Sequence, residues 1–138
     1  MDPRRETTPD AHETKGAILV ADDSDANRAL IELYFRGTPW RLDFAVDGQE
    51  AVARFTSGSY ALILMDIRMP DMDGYEATRR IRALEAERDT PPIPIVAITA
   101  DAFHEHEVQC LAAGCTDFLA KPVRKDALLR CVTHHTRP

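Results

Sequence analysis

No stretch of this sequence approaches the roughly 20 consecutive apolar residues that a membrane helix needs. The opening MDPRRETTPDAHETKG also lacks the apolar core of a leader peptide, so neither a span nor a secretory signal is expected. Cysteine is scarce. Cys110, Cys115 and Cys131 are odd in number and lack the paired CxxC spacing of zinc or redox sites, so they read as reduced thiols packed on helices of a cytoplasmic protein. Basic charge is in deficit, with 17 Lys and Arg against 23 Asp and Glu. The resulting net charge of -6 argues against direct binding to nucleic acid or to an anionic membrane surface. No internal repeat is present.

What is there suffices for one core: 138 residues, 44% of them hydrophobic. Residues 1–16 are polar, carry Pro3 and Pro9, and read as a disordered arm or linker, leaving 17–137 as a single domain. Within that domain short apolar runs alternate with amphipathic segments. The runs Ala17 to Ala21, Trp40 to Ala45, Ala61 to Met65, Ile93 to Thr99 and Asp117 to Ala120 are candidate strands. Between them fall five helical stripes: Ala26, Ala29, Leu30 and Leu33; Ala51, Val52 and Phe55; Ala77, Ile81 and Leu84; Val108, Leu111 and Ala112; and Leu128, Leu129 and Val132. Asp47 and Glu50 form a capping box before the second, and Gly114 is a C-cap candidate after the fourth. The expected fold is an α/β three-layer doubly wound (βα)5 sandwich. Its five-stranded parallel sheet should have the order 2-1-3-4-5, with the functional crevice at the carboxyl ends of the strands.

Four of these runs end on polar groups: the first on Asp22 and Asp23, the third on Asp66, the fourth on Thr99 and the fifth on Lys121. In a doubly wound sheet those ends share one edge. Three crowded carboxylates repel one another unless a cation lies among them, and an all-oxygen set suits a hard ion, Mg²⁺. Each residue has a plain structural reading, as a helix cap, a strand threonine or a solvated lysine. Their convergence does not. A divalent ion, a hydroxyl and an ammonium together neutralise and hold a phosphoryl group, and Asp66 at the centre would be the nucleophile that accepts it.

The motifs LVADDSDANR, ILMDIRMPDMDG, PIVAITA and AGCTDFLAKPV resemble the receiver domain of two-component response regulators, over about Ala17 to Arg137. The resemblance implies that Asp66 is the phosphoacceptor and that Asp22, Asp23, Asp66 and the backbone carbonyl of Arg68 hold Mg²⁺. Thr99 and Lys121 would bind the phosphoryl oxygens. It also implies a switch pair of Thr99 and Phe118 acting on the face made by the fourth helix, fifth strand and fifth helix, and a cis peptide at Lys121-Pro122. Arg68 and Asp101, each two residues past a site residue, are implied as modulators of phosphoryl lifetime. Implied partners are a histidine kinase or a histidine-phosphotransfer domain, docking near the first helix at Leu30, Leu33 and Tyr34. DDSDANR, ITADAF and CLAAGCTDFLAKPV look most like receivers attached to hybrid sensor histidine kinases, so the resemblance implies a phosphoacceptor module rather than an enzyme, and a piece of a longer kinase.

Two rival readings fit the sequence less well. Phosphohydrolases of the haloacid dehalogenase type also use a strand-end Asp, Mg²⁺, Thr and Lys, but their general acid-base would fall here on Arg68. A binding module that ignores phosphorylation would not need the intact acidic and Thr/Lys set. His104 and His106, two apart, cannot share a helix face and read as a solvated helix start. His134 and His135 read as complements to the last helix's dipole, and Arg79, Arg80 and Arg82 as a solvated face among Glu76, Glu85 and Glu87.

Overall fold

Continuous apolar runs make stable strands where both faces of a sheet are covered, and the layers of this protein provide that cover. The computed structural model describes residues 16–100 and 104–137, with backbone alone at 104–106. Its first half contains β1 (Gly16–Ala21), α1 (Asp25–Tyr34), β2 (Trp40–Ala45), α2 (Gly48–Ser57) and β3 (Leu62–Asp66). Then come α3 (Gly74–Arg88), β4 (Ile95–Thr99), α4 (His104–Ala113), β5 (Asp117–Ala120) and α5 (Lys125–His135). The strands form one parallel sheet in the expected order β2-β1-β3-β4-β5. β1 starts at Gly16, one residue before the expected Ala17, and β3 extends to Asp66, which pairs with Ile98.

Strand alternation sorts the core into two layers. Leu19, Ala21, Ile63, Met65, Ile95 and Ala97 point to the side covered by Ala51 of α2, Ala77 and Ile81 of α3 and Cys110 of α4. Ile18, Val20, Leu62, Leu64, Val96 and Ile98 point the other way, onto Ile31 of α1, Phe35 just past it, and Leu128, Cys131 and Val132 of α5. All five residues of β3 and of β4 are buried, so the central strands carry the continuous apolar pattern. β5 at the sheet edge is only half-buried.

Two helices bury a different face from the expected one. In α1, Ala26, Ala29, Leu30 and Leu33 are exposed, and Ile31 is the buried residue. In α4, Val108, Leu111 and Ala112 are exposed, while Cys110 and Ala113 face inward. Short helices with apolar residues on both sides offer two stripes of similar hydrophobicity, and fit to the sheet decides between them. The expected α2 cap forms in its forward half, where Asp47 Oδ1 accepts from the Glu50 N–H at 2.8 Å, while Glu50 Oε1 accepts the Val46 N–H at 2.7 Å, one residue before the N-cap. Gly114, at φ +108°, ends α4, with the Cys115 N–H donating to the Cys110 carbonyl at 2.9 Å.

The basic run on α3 divides. Arg79 and Arg80 pair with Glu76 at the surface, as a solvated face should. Arg82 does not. Its guanidinium bonds Glu85 Oε1 at 2.8 Å and the Gly114 carbonyl at 2.9 Å, while Glu85 Oε2 accepts the Ile93 N–H at 2.6 Å. Glu85 is 4% exposed, so this pair ties the end of α3 to the segments entering β4 and β5. All three cysteines are free thiols, and burial pushes Cys115 and Cys131 up to about 11.

Candidate functional site

β1 and β3 run side by side with Ala21 opposite Met65, so Asp22, just past β1, and Asp66, the last residue of β3, come together at the carboxyl edge of the sheet. Both are 2% exposed, and Asp23 beside them is open to solvent. One carboxylate oxygen from each of Asp22, Asp23 and Asp66 lies within 4.8 Å of the others. Helix α1 organises this cluster. The Ser24 N–H donates to Asp22 Oδ1 at 2.9 Å, Ser24 Oγ caps the helix by accepting the Asn27 N–H at 3.2 Å, and Arg28 donates to the Asp22 carbonyl at 2.6 Å. Arg28 also pairs with Asp25 one turn earlier. Its hold on the acidic turn was missed from sequence, although the Asp25/Arg28 spacing of three was there to be read.

Lys121 comes from the far edge. The Lys121 N–H donates to the Thr99 carbonyl at 2.7 Å, continuing the β4/β5 ladder, and the Lys121-Pro122 peptide is cis as expected. Its ammonium reaches Asp66 Oδ1 at 3.2 Å, the same oxygen that accepts the Arg68 N–H at 3.2 Å. Burial raises the Asp66 carboxyl above its ordinary pKa, the Asp22 charge adds to this, and Lys121 opposes it. Thr99, 5% exposed, closes β4 beside this group. Phe118 is half-buried and packs on the α2, α3 and α4 side of the sheet. Arg68 has an exposed side chain; its expected companion Asp101 lies outside the described residues.

The loop after Asp66 returns tightly against β3, and Gly74 makes that return possible. Its N–H donates to the Ile67 carbonyl at 3.0 Å, and a Cβ here would press on the Asp66 carbonyl and the Ile67 Cα. Both obstacles are backbone, so neither can swing away. Gly74→Val should therefore cost about 1–3 kcal/mol and displace the Asp66 loop. Urea unfolding with the Asp66 amide shift as a second readout checks this; a variant with wild-type stability and shift would refute the close packing.

A doubly wound α/β protein with buried carboxylates, a threonine and a lysine at its strand ends is the class that this fold and site define. The family model for the response regulator receiver domain matches residues 18–133, and the chain belongs to that family. It is 33% identical over 123 residues to hybrid signal transduction histidine kinase L of Dictyostelium discoideum, and 36% identical over 119 residues to sensor protein GacS of Pseudomonas syringae pv. syringae. These alignments take in 87% and 86% of this chain but 7% and 13% of the relatives, so the chain spans a small fraction of their length.

Solved structures agree. The receiver domain of sensor histidine kinase PA1611 from Pseudomonas aeruginosa PAO1, with a magnesium ion in its active site cleft, matches at TM-score 0.79 and 39% identity, over 88% of this chain and 97% of that one. A chain of the co-crystal structure of Ypd1 with the receiver domain of Ssk1 from Saccharomyces cerevisiae matches at TM-score 0.85 and 32% identity, over 89% and 90%. The protein is thus a receiver-type signalling module of two-component phosphorelays, with the phosphoacceptor role general to that family. No helix among the described residues is long and apolar enough to cross a membrane.

Proposed function

We propose that Asp66 takes a phosphoryl group from a phosphohistidine of a histidine kinase or a histidine-phosphotransfer domain. The observation that carries this reading is the buried Asp66 carboxylate held by Lys121 and the Arg68 N–H beside Asp22. One Asp66 oxygen attacks phosphorus, a P–O bond forms, the P–N bond breaks, and the donor imidazole nitrogen leaves with that bond's electron pair. Lys121 then shifts its charge from the carboxylate to a phosphoryl oxygen, and the Thr99 hydroxyl donates to another. The all-oxygen cluster fits a hard ion: Asp22, Asp23, Asp66 and the Arg68 carbonyl would hold Mg²⁺, which supplies charge neutralisation at the phosphoryl group.

The donor domain would dock over α1, where Leu30 and Leu33 are 38% and 50% exposed. Leu30 also lines a groove of about 300 Å³ whose walls include Asp22, Lys121 and Pro122, so a docked histidine would face the acidic crevice. The output is a shift in population between two states of the α4-β5-α5 face through Thr99 and Phe118. A cytoplasmic setting, with 17–137 as the receiver domain of a hybrid kinase, fits the relatives. The exposed Arg68 side chain would shade the acyl phosphate from water.

The hydrolase rival has no carboxylate at its acid-base position, which is Arg68. Incubation with a phosphorylated histidine-phosphotransfer protein should transfer at most one phosphoryl group per chain, with no steady turnover of a phosphomonoester. Beryllofluoride should then move amide resonances of α4, β5 and α5 as well as those near Asp66. Sustained turnover would reverse the choice between module and hydrolase, and shifts confined to the Asp66 loops would remove the switch.

A further inference from the structure

At the opposite end of β5 from Lys121 stands a second group of ligand-type side chains. Asp117 opens the strand, while Cys131 and His135, four residues apart, share the face of α5 turned to it. His135 Nε2 lies 2.8 Å from Asp117 Oδ2, and Cys131 Sγ lies 3.8 Å from the same oxygen. The other oxygen of Asp117 accepts the Phe118 N–H at 2.8 Å, which fixes the carboxylate with Oδ2 aimed at α5. All three ligand atoms fall within 4.8 Å of one another. The group is neither sealed nor loose, since the His135 side chain is 16% exposed and that of Asp117 42%.

We propose that Asp117, Cys131 and His135 form a binding site for a borderline transition-metal ion of the zinc class. The donor set decides the class. A thiolate and an imidazole favour Zn²⁺ or Co²⁺ over the hard Mg²⁺ suited to the all-oxygen crevice at the other end of the sheet. Tetrahedral zinc with these donors needs ligand-to-ligand distances of about 3.3–3.6 Å. The Asp117–His135 contact must open slightly and the Asp117–Cys131 contact close slightly to meet that, by rotation of the His135 and Cys131 side chains while the Phe118 N–H holds Asp117 in place. The ion enters past Asp117 and displaces the thiol proton, and the imidazole proton where present, to solvent. Affinity therefore rises with pH. Three protein ligands leave the fourth position to water or to a donor from a partner. Cys110 and Cys115 are buried against each other and against the hydroxyls of Tyr75 and Thr78, a set without the imidazole and carboxylate that complete the α5 group, and the loss of the band in Cys131→Ser separates the two.

Cobalt titration of the reduced full chain, with Mg²⁺ in excess to occupy the acidic crevice, tests the site. The expected result is saturation at one Co²⁺ per chain with a thiolate-to-cobalt charge-transfer band. The band should vanish in Cys131→Ser, and affinity should fall more than about tenfold in His135→Ala and in Asp117→Asn. Zn²⁺ should bleach the band and raise the melting temperature of the wild type only. Absence of the band in the wild type overturns the proposal, as does wild-type affinity in His135→Ala. Because His135 is at the end of α5, that variant reports even if the buried Cys131→Ser chain fails to fold.

Discussion

Asp66→Asn should fold and yet carry no label after incubation with Mg²⁺ and a small phosphodonor, whereas the wild type becomes labelled at Asp66 alone. An amide keeps the shape of the carboxylate and can still accept the Arg68 N–H on its oxygen. It has no anionic oxygen to attack phosphorus, and it removes one of the three charges that would hold a cation. The buried Asp22 cannot substitute, because its Oδ1 is committed to the Ser24 N–H and its backbone to Arg28. Reduction of the acyl phosphate followed by mass spectrometry gives the position of any label. Label that persists in the Asn variant would take the nucleophile role away from Asp66.

Glu85→Ala should be strongly damaging although it lies far from the crevice. It strips the Ile93 N–H of its acceptor and Arg82 of its carboxylate in a place where Glu85 is 4% exposed. Each orphaned buried group costs about 1–3 kcal/mol. The Arg82 part is discounted because its side chain is 22% exposed and keeps the Gly114 carbonyl. A total near 3 kcal/mol corresponds to a melting temperature lower by roughly 10 °C in a domain of this size. Glu85→Gln keeps an acceptor for Ile93 and should lose less than half as much. Equal losses in the two variants would show that charge rather than the bond to Ile93 is what matters.

The crevice was legible in the sequence because a parallel strand covered on both faces is an unbroken apolar run. The first polar residue after Ile18–Ala21 or Leu62–Met65 therefore marks the end of the sheet without any knowledge of side-chain contacts. The same logic failed on α1 and α4, where Leu30 and Val108 looked inward by spacing but are 38% and 50% exposed. A helix of ten residues carries too few turns for periodicity to choose between neighbouring stripes. It failed again for charged residues used far from home. Arg82 meets Gly114 across 32 residues and His135 meets Asp117 across 18, and neither partner announces itself locally. A solvated arginine and a helix-end histidine are the expected fates for such residues until the layers are stacked.

The two-layer sorting of the sheet also acts as a proofreader of assembly. Along β3, Leu62 and Leu64 face α1 and α5 while Ile63 and Met65 face the other three helices, and Asp66 continues the Leu62 and Leu64 side toward Lys121. A slip of β3 by one residue would exchange the two sets and turn the carboxylate into the layer of α2, α3 and α4, with no ammonium to meet it. Mispaired chains would thus carry a wrongly filled interior and an uncompensated buried charge at once, a double fault that drives them back to the unfolded pool. The pleat that keeps the interior dry is therefore also what delivers Asp66 to the correct side, chain after chain.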